Sequence, residues 1–126
     1  MPAYGKLPVY SVSTNDPPVQ IMTTADGAPA LPFTTVPVAL VKDNSNALVG
    51  FGVQAKWSAA PPAGTTINIQ GANEDVASSY VTINTFTFTG VETTQRWDGA
   101  GFQLSFVRAV MTVHVGGQTC IIEVGR

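Results

Sequence analysis

The run Phe51-Gly52-Val53-Gln54-Ala55-Lys56-Trp57 decides the fold. Its apolar members fall on every second residue, the period of a strand with one face in a core and the other toward water. Thr66-Ile67-Asn68-Ile69-Gln70 repeats the pattern, isoleucines alternating with polar groups. Tyr80-Val81-Thr82-Ile83 and Thr85-Phe86-Thr87-Phe88-Thr89 continue it in branched and aromatic residues that suit a pleated surface. Turn residues separate these runs at Asp43-Asn44-Ser45-Asn46, Pro61-Pro62-Ala63-Gly64, Gly71-Ala72-Asn73-Glu74-Asp75 and Asp98-Gly99-Ala100-Gly101. Near the end, Phe106 to Val115 and Gln118 to Val124 flank Gly116-Gly117, which predicts a tight hairpin. The spacing predicts an all-β domain, an antiparallel β-sandwich of jelly-roll or Ig-like type with about seven or eight strands.

Upstream of Thr35 the chain changes character. Residues 1–34 hold six of the nine prolines, at Pro2, Pro8, Pro17, Pro18, Pro29 and Pro32, and only three charged side chains. Proline removes backbone donors and pushes the preceding residue to extended angles, so this segment is expected to be an extended arm. The division is then an arm over 1–34 and a sandwich over 35–126. Disordered tails are hydrophilic, whereas this arm carries Tyr4, Leu7, Val9, Tyr10, Val12, Val19, Ile21, Met22, Leu31 and Phe33. Two destinations are open for them. The arm covers its own domain, with Val19, Ile21 and Thr23 as a first strand, or it docks on a neighbour through Tyr4, Leu7, Val9, Tyr10, Val12, Ile21, Leu31 and Phe33.

A chain of 126 residues suits one domain and a core that needs no disulfide or metal staple. Only 11% of its residues are charged, against roughly 25% in ordinary soluble domains. Small neutral groups cost little to desolvate, so such a surface suits permanent contact with neighbours. The formal charge is −2 and no basic cluster occurs, which argues against nucleic acid and acidic membranes as partners. With no long apolar run and no basic-then-apolar leader, the expectation is a chain without a membrane span or cleaved signal, folded in a cytoplasm.

The inventory for chemistry is thin. One histidine, His114, and one cysteine, Cys120, cannot supply a triad or a zinc site, so no enzyme, cofactor or metal is expected. Cys120 lies in the apolar run Thr119-Cys120-Ile121-Ile122 and is expected to be a small buried hydrophobe. The acidic turns at 43–46 and 73–75 lack the full spacing of a calcium loop, and turn chemistry accounts for them. Gly99-Ala100-Gly101 and Gly116-Gly117 lack the context of a phosphate loop. Trp57 follows the alternation into the core. Tyr80 and Trp97 are the candidate exposed aromatics, and a pair of them on one face would suit a sugar ring.

Ile67-Asn68-Ile69-Gln70-Gly71-Ala72-Asn73-Glu74-Asp75, followed by Tyr80-Val81-Thr82-Ile83-Asn84, resembles a strand, Asn/Asp turn, strand pattern of tailed-bacteriophage structural β-sandwich proteins. Phe106-Val107-Arg108-Ala109, with the Gly116-Gly117 turn and final strand, is similar to the closing segment of the same proteins. The resemblance spans residues 48–126 and leaves the arm aside. It departs from the pattern at Ala77-Ser78-Ser79, where an aromatic often follows the turn. It implies a virion structural protein, foremost a capsid decoration or cement protein. The implied partners are the major capsid protein and copies of itself, as a trimer or other homo-oligomer. A tail, neck or fibre component is the alternative, and a carbohydrate-binding module is the alternative from another class.

Overall fold

A computed structural model describes residues 31–40, 51–99, 104–113 and 118–125, together with the backbones of 10–12 and 19–23. Ten strands run through the described residues: β1 (Tyr10–Val12), β2 (Val19–Thr23), β3 (Phe33–Thr34), β4 (Val38–Leu40), β5 (Gly52–Trp57), β6 (Thr66–Ala72), β7 (Val81–Thr87), β8 (Thr94–Asp98), β9 (Phe106–Val113) and β10 (Cys120–Gly125). They form two sheets. The larger has the order β1-β4-β9-β6-β7, with β3 also on β9, and the smaller has the order β2-β10-β5-β8.

The alternation in the sequence is the alternation in space. In β5, Val53, Ala55 and Trp57 are buried while Lys56 is exposed, and in β6 Ile67 and Ile69 are buried between half-buried polar neighbours. Those side chains meet Val107, Ala109 and Met111 of β9 and Cys120, Ile122 and Val124 of β10 in one core. Trp57 meets Phe88 edge to face, ring centroids 6.0 Å apart. Each fully buried isoleucine contributes about 1.5–3 kcal/mol before ordering costs.

The pairs β5–β8 and β6–β9, one in each sheet, match the interlocked B–E and C–F pairs of an Ig-like sandwich. The first and last strands of the expected domain, β4 and β10, take each other's usual places, β4 beside β9 and β10 beside β5.

Strands β4 to β10, seven in number, lie in the span expected as the sandwich; the runs at 80–83 and 85–89 are one strand, β7, and β4 and β8 come from stretches that did not show the alternation. The other three come from the segment expected as an arm, and they belong to the sheets. Strand β2 pairs antiparallel with β10, β3 pairs antiparallel with β9, and β1 pairs parallel with β4, so the larger sheet is not purely antiparallel. Proline-rich stretches between these strands do not prevent pairing, because each strand is a short proline-free run.

One junction shows how the ladder survives a proline. Pro37 falls between β3 and β4, where pairing to β9 would lapse. Buried Thr35 bridges the gap: its N–H donates to the Ala109 carbonyl at 2.9 Å, and its Oγ1 accepts from the Ala109 N–H at 3.0 Å. Both backbone groups of Ala109 and the Thr35 N–H are thereby satisfied in the core.

Candidate functional site: a sparsely charged sheet face

The two outer faces of the sandwich differ in charge. The smaller sheet carries Lys56, Arg96, Asp98 and Glu123 on its strands. Arg96 and Asp98 form a solvent-exposed ion pair at 3.1 Å. The strands of the larger sheet contain one charged residue, Arg108. Strand parity puts Thr34, Thr66, Asn68, Gln70, Thr82, Thr85 and Thr112 on the solvent side of that sheet with it.

Hydroxyls and amides on this face bond to one another. Thr85 Oγ1 donates to Asn68 Oδ1 at 3.0 Å, and Gln70 Nε2 donates to Thr82 Oγ1 at 3.5 Å. The one cation is tied down as well. Arg108 Nε donates to Gln70 Oε1 at 2.9 Å, and its guanidinium carbon lies 3.9 Å from the Tyr80 ring centroid. The Tyr80 hydroxyl donates to Asp75 Oδ1 at 2.9 Å, which places a carboxylate at the end of the chain of contacts. Stripping water from such a face costs roughly 1–3 kcal/mol for each polar group that loses its partner, far less than for a free charge. The arrangement is chemically suited to lying against another protein surface.

The expected exposed aromatics are placed otherwise. Tyr80 is 9% exposed, so the expectation of an open ring is corrected: Arg108 covers one face and the hydroxyl is engaged. Trp97 is half-buried and packs edge-on against Phe51 at 5.6 Å, on the core side of β8. The two therefore do not form a stacking platform, since Tyr80 borders the larger sheet and Trp97 belongs to the smaller. Cys120 is buried as expected, and burial pushes its thiol up to about 12.

Of the candidate partner contacts, Phe33 is corrected: β3 turns it inward against its own core, because its ladder partner Met111 is a core residue. Leu31 is exposed. Tyr10, Val12 and Ile21 lie in β1 and β2, whose backbones join the domain's own sheets. Tyr4, Leu7, Val9, the turn at 43–46, Ala100, Gly101, His114, Gly116 and Gly117 lie outside the described residues. The expected hairpin is corrected: the runs that flank Gly116-Gly117 are β9 and β10, which belong to different sheets, β9 beside β3, β4 and β6 and β10 beside β2 and β5, because each finds its ladder partners in distant segments.

Thr82, Thr85, Asn68, Gln70 and Arg108 were not singled out by sequence reasoning. The low charge fraction signalled a neutral surface, but only strand pairing reveals that neutrality is concentrated on one sheet. Neither a scan against protein-family models nor a search of curated proteins finds a match to this chain.

Proposed function

We propose that the protein is a virion structural component, a capsid decoration or cement protein that stabilises the head by packing on and between capsid subunits. The observation that carries this reading is the division of charge between the two faces. The larger sheet would lie against the shell, where its hydroxyls and amides meet a neighbouring surface at little desolvation cost. The smaller sheet, with Lys56, Arg96, Asp98 and Glu123, would face solvent and keep the particle soluble. The phage resemblance of residues 48–126 supports the same class, and copies of the chain and the major capsid protein are the proposed partners.

The test is binding to capsids that lack the subunit. Asn68→Lys places an unpaired charge in the middle of the neutral face and is expected to reduce occupancy at least about tenfold, the loss of one buried polar contact. Gln54→Lys, on the charged sheet, is expected to bind as the native protein does. Equal occupancy by both variants overturns the assignment of the face. Electron microscopy of particles carrying a labelled subunit tests the location: label on the tail, neck or fibres moves the protein there, and unlabelled virions overturn the reading.

A further inference from the structure

Strand β7 is the last strand of the larger sheet, and among the described residues no strand lies on its far side. Hydrogen bonds fix which way its backbone points. The Phe88 N–H donates to Thr65 O at 2.9 Å, and Phe88 O accepts from the Gly64 N–H at 2.9 Å, so Phe88 faces β6. Alternation then turns Phe86 toward β6 and the N–H and C=O groups of Thr85 and Thr87 away from it. A register shift puts an extra residue, Ile83, into β7, and pairing resumes with Gln70 opposite Thr82 and Gly71 opposite Val81. Past the bulge the outward residue is Thr82.

Among the described residues this edge is closed at one end only. Gln95 Nε2 donates to Thr87 O at 2.8 Å, while the Glu92 carboxylate accepts from the Thr89 N–H and from Thr89 Oγ1. Thr82 and Thr85 lie beyond that closure. Edge strands are commonly guarded by charge or proline, as β8 is by Arg96 and Asp98, but β7 reads Val-Thr-Ile-Asn-Thr-Phe-Thr and has neither. Val81, opposite buried Gly71 on the core side of the sheet, is left 60% exposed at the open end.

We propose that β7 pairs with β7 of a second copy of this chain, antiparallel about a two-fold axis, with Thr82 of one copy opposite Thr85 of the other. A strand laid against its own reverse must oppose no like charges, and an uncharged strand meets that condition. The Gln95 and Glu92 closure occupies the groups a slipped register would need, leaving the Thr82–Thr85 window for pairing. In this register the threonines of both copies share the neutral face, so the dimer extends that face without a charged seam. Val81 gains a neighbouring strand. The contact is narrow, below the area of a standard stable interface, so the dimer is expected to be weak and concentration-dependent. The pairing is a property of the protein in solution and stands or falls separately from the shell reading.

Sedimentation of the full-length protein from micromolar to millimolar concentration tests it. The native protein is expected to show a monomer–dimer equilibrium, with Thr85 amide exchange slowing as dimer forms. Thr85→Pro removes an outward N–H and is expected to weaken dimerisation about tenfold or more. A second pair of variants guards against misfolding. Thr82→Lys with Thr85→Lys, and Thr82→Glu with Thr85→Glu, should each be monomeric alone and should dimerise when mixed. A native protein that stays monomeric throughout overturns the proposal, and so do charge variants that self-associate like the native chain or fail to pair when mixed.

Discussion

Gly99 and Cys120 show how much a single position depends on what the fold puts beside it. Gly99 stands in a stretch that reads as a turn, yet its need for glycine is one of space: a Cβ there would lie 2.6 Å from Phe51 Cζ. Phe51 is buried and braced by Trp97, so the ring has little room to retreat. Gly99→Ala is expected to cost about 1–3 kcal/mol, measured as a fall in the urea midpoint without a change in slope. Burial raises the Cys120 thiol from 9.0 to about 12, against a smaller opposing effect from the Lys56 backbone. The unfolded chain therefore releases this proton before the folded chain does. Stability is unaffected below the unfolded value and falls as pH rises from about 9 toward 12, by at most about 1.4 kcal/mol per pH unit. Denaturant melts across this range should show the decline, and Cys120→Ala should flatten it relative to the native protein.

Among the elements, β5 and β6 were legible because period-two alternation survives wherever one face is buried, whereas in β7 it holds at Phe86 and is broken by the extra residue Ile83. Strand β8 was not legible. Its Thr-Gln-Arg-Trp-Asp has no aliphatic residue, and it becomes a strand because β5 offers a partner from Gly52 to Lys56. The connection before it closes part of the β7 edge through Glu92. Hydrogen bonds from the Thr89 hydroxyl and then the Thr89 backbone hold the Glu92 carboxyl below its ordinary 4.5. That contribution to stability is present above the unfolded value and is lost as pH falls through the lowered folded value. Glu92→Ala is expected to speed Thr89 amide exchange at neutral pH, while Val53 in the centre of the small sheet keeps its protection. Unchanged exchange at Thr89 would show that the closure is held by other contacts.

At the scale of the whole molecule, three strands from within the first 34 residues are part of the sandwich's hydrogen-bonded framework. Strand β2 covers β10, β3 covers β9, and β1 extends the larger sheet past β4. Deleting residues 1–34 is expected to lower the thermal midpoint and expose β10 as a new edge, rather than to yield a stable domain that has merely lost a binding arm. Calorimetry decides this: an intact, cooperative transition at the native temperature in the truncated chain would show that the framework closes without them.

The sequence by itself determined the fold class, the inward residues of the long strands and the thinness of any catalytic inventory. Those properties follow from local periodicity and from composition, and neither needs a partner strand to be read. Tertiary structure decided that the charged residues of the described strands, Arg108 apart, fall on the smaller sheet, that Tyr80 is covered by Arg108, and that short runs in the proline-rich segment join the sheets. Each of these depends on which strand lies beside which. Alternation assigns a side chain to one of two faces, but only pairing between distant segments decides which faces become one surface.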